Sequence, residues 1–265
     1  MSSNESSLSQ PPPPPPGIAL NPTKKQFSQR KQLNLTECKW ASAYPEIQKA
    51  CYLARVSPYI SPKSCRYKNI QPILQEGPTC GLVALSMLVN GAPNAGDLLN
   101  LAREKLYTKN GEMFSALNLF ELVKSAISDD IGTNLKLFEG KLNCHEIKQV
   151  LQSGGCLLVP YDPDFNHGPC VLNGRKAHWA LIIGHLIDDN GKFYVFSRHG
   201  KTRNIAIWSL KLLSESNANL NEFEQPKGYP DAEFLLPMGG IGGVLGLKNK
   251  CIIVNNVPID EVVIK

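Results

Sequence analysis

The run CGLVALSMLV, residues 80–89, constrains this chain more than any other stretch of it. Its apolar residues cover the whole circumference of a helix rather than one stripe, and such a helix is stable only when packed on every side. A fold that encloses it needs a large core. The 265 residues, 42% hydrophobic and 19% charged, supply one, as a single large domain or two small ones. Asn90 and Gly91 give the helix a C-terminal stop. The turn residues EGPT stand immediately before it, so that Cys80 falls at or just before its first position.

Around this helix the pattern changes character along the chain. The segment TECKWASAYPEIQKACYLARV has helical spacing broken into short pieces by Pro45, and a loop SPYISPKSCRYKNIQPILQEGPT follows it. AGDLLNLAREKLYT, FSALNLFELVKSAIS and NCHEIKQVLQSG read as amphipathic helices. From Cys156 onward the period shortens: CLLVPYD, HWALIIGHLI, KFYVFSRH, NIAIWSL and KCIIVNN are short β-rich runs between turn residues. Helices first and strands after predict an α+β fold, a helical lobe packed on an antiparallel sheet. No solenoid-like repeat is present.

Residues 1–36 differ from the rest. They contain few large apolar residues and the proline run Pro11–Pro16, too little to offset the entropy of ordering, so a disordered tail followed by a folded domain over 37–265 is expected. This segment lacks the pattern of a secretory leader, and no run approaches the roughly 20 apolar residues of a membrane span. The expectation is a soluble cytoplasmic monomer. The net charge is +5, of which the tail carries +3 and the domain +2, which argues against a dedicated nucleic-acid binder. Eight scattered cysteines without a leader suggest reduced thiols. No Cys-x-x-Cys pair is present, and His167 with Cys170 in the loop HGPC is a weak basis for a metal site.

Cys80 carries the chemistry. A helix start lowers a thiol's pKa through the dipole and offers free N–H groups to an oxyanion. Gln75, five residues upstream, can add a side-chain donor. Among the histidines, His145 lies on a helix face, His167 in a loop and His185 inside a strand. His178 opens the strand HWALIIGHLI after the loop NGRKA, where a side chain can reach a cleft edge. A lone histidine there can also be a surface residue; the Gln-turn-Cys-helix arrangement favours a general base. The turn DDNG should fold this strand against KFYVFSRHGKTR, with paired residue numbers summing to 379 or 381. Either sum sets residues 197, 199, 201 and 203 on the face of His178. Ser197 and His199 can then accept a hydrogen bond, and His199 is the nearer candidate to orient the base.

LQEGPTCGLVALSM, KAHWALIIG and RHGKT together resemble the actin maturation proteases, over roughly residues 37–265. That resemblance implies a papain-like cysteine peptidase fold similar to the bacteriocin-processing peptidases, and removal of the N-acetylated first residue, Met or Cys, from immature actin. It implies Cys80 as nucleophile, His178 as general base and Gln75 as oxyanion donor, without metal or cofactor. His199 stands where the relatives carry Asp or Asn. Actin N-termini are acidic, so Arg175, Lys176, Arg198, Lys201 and Arg203 are candidates to hold the residues downstream of the cut, or else a solvated strand edge. Pro11–Pro16 is either a polyproline II ligand, with profilin the partner that an actin link suggests, or a passive linker. Two other classes remain open: an inactive protease-fold adaptor recruiting partners through its proline tail, and another thiol acyl-transfer enzyme, deubiquitinase-like or otherwise.

Overall fold

The computed structural model describes residues 36–127 and 134–264. The expected disordered tail and Pro11–Pro16 lie outside the described residues. The buried helix is α2, Cys80–Leu88, and all nine of its residues are buried. It ends where Asn90 and Gly91 both adopt positive φ, 55° and 85°. Before it come a short 3-10 turn, Lys39–Ala41, and α1, Pro45–Ala54. Pro45 is the first residue of α1, where a missing N–H costs nothing. α3 (Ala95–Glu104), α4 (Ala116–Ala126) and α5 (His145–Gln152) follow. α3 opens with a capping box between Asn94 and Asp97.

Among the described residues the sheet has eight strands, and every pairing is antiparallel. They are β1 (Ser64–Lys68), β2 (Asn134–Glu139), β3 (Cys156–Tyr161), β4 (His178–Ile187), β5 (Phe193–Arg198), β6 (Ala206–Ser209), β7 (Lys250–Asn255) and β8 (Glu261–Ile264). The order is β2-β7-β3-β4-β1-β8, with β5 on the other edge of β4 and β6 beyond it. β4 is the hub: residues 178–182 pair with β3 and 184–187 with β1. The exchange of partners occurs at Gly184, where a Cβ would stand 2.1 Å from the Arg66 carbonyl oxygen. Only glycine lets β1 approach so closely.

The α+β class is as expected, but the layering differs. Alternate strand residues feed two cores. Leu158, Leu181, Ile183 and Ile252 face α1 to α4, whereas Leu157, Val159, Ala180 and Ile182 face α5 and a further helix, α6 (Leu210–Ala218). Helices therefore cover both faces of the sheet. β1, β2 and β8 lie outside the strand-rich block, and α6 follows β6 directly. α6 has no clean apolar stripe because its buried side includes Ser214, Ser216 and Asn217. Their donors are tied to main-chain groups: Ser216 Oγ donates to Asp162 O (3.0 Å), and Asn217 Nδ2 donates to Pro160 O (2.8 Å) and Lys250 O (3.0 Å), while Asn217 Oδ1 is left without a partner. Hydrogen bonds hold that face where periodicity predicts nothing. The described residues belong to one compact unit. All eight cysteines are free, and no helix among the described residues is long and apolar enough to cross a membrane.

Candidate active site

Cys80 is the first residue of α2. Thr79, in the capping position, spends its hydroxyl on Glu76 O (2.7 Å) and does not cap the helix. The first N–H groups of α2 are thus left for another acceptor. Those of Cys80 and Gly81, with the N–H of Trp179 from the start of β4, favour the charged thiolate of Cys80. Trp179 packs on Gly81, where a Cβ would lie 3.1 Å from its Cδ1, and this brings the strand that begins with His178 against α2. Trp179 is itself fixed by Nε1–H donating to Met113 O at 2.8 Å.

The thiol is not acidified as its position suggests. Burial pushes its pKa above the ordinary value, and the three N–H groups with the Lys201 charge pull it down without prevailing. Desolvation outweighs the dipole here. His178, 7% exposed, is held well below the usual imidazole range by burial, then by His199, Lys201 and His167. The resting pair is a neutral thiol and a neutral imidazole.

His178 pairs across the sheet with Tyr161, whose ring lies 5.8 Å away at a steep angle. Its Nε2 is buried and has no hydrogen-bond partner. His199 sits just past β5, its ring 6.1 Å from His178 and stacked on Trp208 at 5.8 Å. The hairpin register explains this placement. Near the turn, paired numbers sum to 380 (Ile187 with Phe193), because the loop takes five residues rather than the two of either expected turn. A bulge between Ile182 and Gly184 then changes the sum to 379 (Leu181 with Arg198). The two departures cancel, and residue 199 returns to the face of His178. His199 does not orient the base through a hydrogen bond, however. Its Nδ1 is also unpartnered, and burial, with help from His167 and Lys201, lowers its pKa to about 4. A third histidine, His167, stands 6.3 Å from His178 and 6.0 Å from His199. No acid is among the charges acting on His178.

Gln75 is tied to the same region. Its N–H donates to Gly200 O (2.9 Å), and a Cβ on Gly200 would come within 2.7 Å of the Gln75 Cβ. The glycine after His199 is therefore needed for Gln75 to pack there. The Gln75 amide donates Nε2–H to Gly77 O (2.8 Å) and leaves Oε1 buried without a partner. The donor expected to face an oxyanion is engaged by the turn before Cys80.

Gln75, Cys80, His167, His178 and Lys201 share a cleft of about 590 Å³. Arg175 and Lys176 line it too, both exposed, and Arg175 pairs with Glu222 at 3.4 Å. Arg198 does not reach it. Only 1% exposed, its guanidinium binds Glu46 (2.8 and 3.3 Å), Ile70 O and Arg203 O. The even–odd alternation of the strand turns Arg198 into the interior, where it must be paired. Arg203 is exposed but lies outside the cleft. No group of three His, Cys, Asp or Glu among the described residues is placed to hold a metal, and burial, followed by Asp162 and Asp164, pushes the Cys170 thiol up to about 11.

Sequence reasoning did not find His167 in this role, nor the aromatic wall of Phe114, Phe223 and Phe234. For His167 the signal was NHGP, a turn in which the histidine takes a left-handed φ of 62°. The wall had no sequence signal, since its residues come from distant, irregular segments.

The family described as "Actin maturation protease-like, C-terminal domain" matches residues 70–186, which include Gln75, Cys80 and His178. The actin maturation protease of Drosophila melanogaster is 56% identical over 236 residues, covering 89% of this chain and 88% of that protein. That of Xenopus tropicalis is 33% identical, over 65% of this chain and 68% of its own. A crystal structure of a C39-like peptidase from Bacillus anthracis matches 72% of this chain and 97% of its own, with 12% identity and a TM-score of 0.46. At 56% identity over almost nine-tenths of both it and the Drosophila melanogaster protein, the chain belongs to the actin maturation protease family.

Proposed function

We propose that this chain is a papain-like cysteine aminopeptidase that removes the N-acetylated first residue, Met or Cys, from immature actin. The observation that carries the reading is the meeting of Cys80, at the uncapped start of a buried helix, with a histidine whose Nε2 is buried and unpartnered in the same cleft. Such an orphaned group costs stability and is retained where it has a ligand or a reaction to serve.

The chemistry follows from the neutral resting pair. As the Cys80 sulfur attacks the carbonyl carbon of the acetylated residue, its proton passes to His178 Nε2 and a C–S bond forms. The oxyanion takes hydrogen bonds from the free N–H groups at the start of α2 and from Gln75 Nε2, once that amide releases Gly77 O. His178 returns the proton to the departing amine, the C–N bond breaks, and shortened actin leaves. Water, deprotonated by the same nitrogen, then attacks the thioester, and the sulfur departs with the proton. The acetylated amino acid is released. His199, buried and neutral beside His178, positions the base by packing rather than by charge. Arg175, Lys176 and Lys201 offer cations to the acidic residues beyond the cut. Pro11–Pro16 serves as a polyproline II ligand through which profilin brings actin, and the enzyme acts as a cytoplasmic monomer.

Mass spectrometry of acetylated actin after incubation with the purified protein tests this. Loss of one acetylated residue is expected with wild type and not with Cys80→Ala. An intact N-terminus under conditions where the protein is folded would overturn the assignment.

A further inference from the structure

Residues 219–249, between α6 and β7, contain no helix or strand. Connections of that length without regular structure are uncommon, and those that are ordered usually serve a site. Part of this one, residues 221–235, is tied at both ends and crosses between the two sides of the cleft. At its start, the N–H groups of Asn221 and Glu222 donate to Asn173 O (3.0 and 2.9 Å), and that of Glu224 to Arg175 O (3.1 Å). This is the loop that leads into His178. At its end, Asn110 Nδ2 donates to Glu233 O (2.8 Å), Leu235 N–H donates to Glu112 Oε1 (2.9 Å), and Lys109 pairs with Glu233. Between the anchors Tyr229 reaches the nucleophile's own turn, since a Cβ on Gly77 would lie 3.6 Å from its hydroxyl. The strap thus runs from the side that carries the base to the side that carries the thiol.

The side it turns to the cleft places Phe223, Tyr229 and Phe234 beside Glu224, Pro226 and Lys227. Phe223 and Phe234 meet Phe114 at 5.0 and 6.2 Å, and each other at 5.7 Å, all edge-to-face. These rings line the same cleft as Cys80. An enzyme that cuts inside a chain needs a groove open on both sides of its nucleophile. Here one side is bridged.

The geometry points to the strap 221–235 as the barrier that admits a single residue on the acyl side of the scissile bond, with Phe114, Phe223 and Phe234 as the receptor for that residue. The substrate class is an N-acylated apolar amino acid at the head of a chain. An acetylated N-terminus carries no charge to be solvated, and a methionine or cysteine sulfur is a favourable neighbour for aromatic edges. The acidic residues that follow belong outside this wall, toward Lys176 and Lys201. This inference rests on the thiol-peptidase reading of Cys80 and deepens it.

Peptidyl chloromethyl ketones test it without any need for turnover, because the Cys80 sulfur displaces chloride and the thioether adduct is read by intact mass. Wild type should be labelled at Cys80 by acetyl-methionyl chloromethyl ketone. Acetyl-alanyl-alanyl-methionyl chloromethyl ketone should react at least about tenfold more slowly, the low end of what one misplaced methylene costs in a fitted pocket. Replacing residues 225–232 by a Gly-Ser linker should narrow that gap. So should Phe223→Ala with Phe234→Ala, which leaves the strap's anchors intact should the linker variant not fold. Equal labelling of wild type by both reagents overturns the strap inference, even if actin peptides are cut. Selective labelling with acetylated actin left intact keeps the strap and removes the actin substrate. No adduct at Cys80 with either reagent removes both.

Discussion

His185 and His178 lie seven residues apart on one strand and are both buried, yet they are opposite in kind. His185 has both nitrogens engaged, Nε2 with Ser64 Oγ at 2.9 Å and Nδ1 with Leu151 O at 3.1 Å, and its ring stacks on Phe193 at 5.3 Å. His178 has an unpartnered Nε2, two other histidines nearby and a cleft before it. Burial holds both neutral: His185 falls to about 4, and His178 lies well below the usual range. Depth and pKa direction therefore do not separate the fully bonded histidine from the proposed base. Spare hydrogen-bonding capacity facing a cavity does, because packing gives no reason to keep it.

Exchanging the two losses breaks or confirms the contrast with the largest effect. His178→Ala, like Cys80→Ala, should reduce kcat/KM for an acetylated actin peptide by about 10³-fold or more, since members of one catalytic unit fail together. Its melting temperature should scarcely change. His185→Ala should keep its activity per folded molecule and lose about 1–3 kcal/mol of stability, because Leu151 O and Ser64 are left unpaired in the interior. His199→Ala should cost less activity than His178→Ala. If His185→Ala loses turnover while remaining folded, the contrast is wrong.

The same contrast marks what could be read from the sequence. HWALIIGHLI is β4 from end to end, and the all-apolar run is α2 within one residue, because both are set by burial on every face. The place of Cys80 at the head of that helix was legible from the turn before it. β1 and β2 escaped notice since each is short and half polar, with burial patterns that alternate under charged residues. α6 escaped because polar side chains fill its buried side. The placement of His199 followed from parity, although neither expected register occurs alone; the bulge at Ile182/Gly184 offsets a longer loop. Arg198 was misplaced because sequence gives a residue's face only relative to its neighbours, and the pairing with Glu46 arises from α1, far away in the chain. The raised thiol was missed for a related reason: desolvation depends on what covers a group, and here β4 and its surroundings cover Cys80.

Gln75 sharpens the comparison at the next scale. It too has a buried unpartnered atom, Oε1, but its donor is held by Gly77 O. Gln75→Ala should lower kcat by roughly 10²-fold with little change in KM, the cost of losing one oxyanion donor. A changed KM at constant kcat would place Gln75 in ground-state binding and leave the oxyanion to backbone N–H groups alone.

Acid separates stability from turnover. His185 and His199 each have a native pKa of about 4, below the value of about 6.5 in an unfolded chain. Between those values the unfolded state binds protons that the native state refuses, so stability is full above pH 6.5 and falls as pH drops toward 4. The loss is on the order of 3 kcal/mol for each histidine if both stay neutral in the native state. Over the upper part of that window kcat/KM of the still-folded enzyme should stay flat, because His178 remains a free base. Urea titrations and initial rates from pH 7.5 to 5.5 report the two quantities. A rate that falls through pH 6.5 in step with an ordinary imidazole would show that His178 is not held neutral. At the other end, alkylation of Cys80 by iodoacetamide should keep rising past pH 9, since its thiol is raised.

The smallest effect concerns a second pair of opposites on the same hairpin, Arg198 and Lys201. The first is a cation consumed by Glu46 and two carbonyls; the second is exposed in the cleft, where its charge reaches Cys80 and the three histidines. Lys176 resembles Lys201 in exposure, while Arg175 is partly neutralised by Glu222. Lys176→Glu should therefore lower kcat/KM for an acidic actin peptide severalfold, more than Arg175→Glu does. It should leave a peptide with neutral residues at those positions nearly unchanged. Exposed charges act through a field screened over about 8 Å at physiological ionic strength, so added salt should bring wild type toward the mutant. Lys201 is a poorer probe of this effect because its removal also alters the thiol and the imidazoles. Arg198→Ala should instead lower stability, by leaving Glu46 and two carbonyls without their partner, and should keep the wild-type preference and salt slope. If Lys176→Glu and wild type show the same acidic preference and the same salt slope, these cations form a solvated edge. Selectivity would then fall to the aromatic wall that receives the acetylated residue.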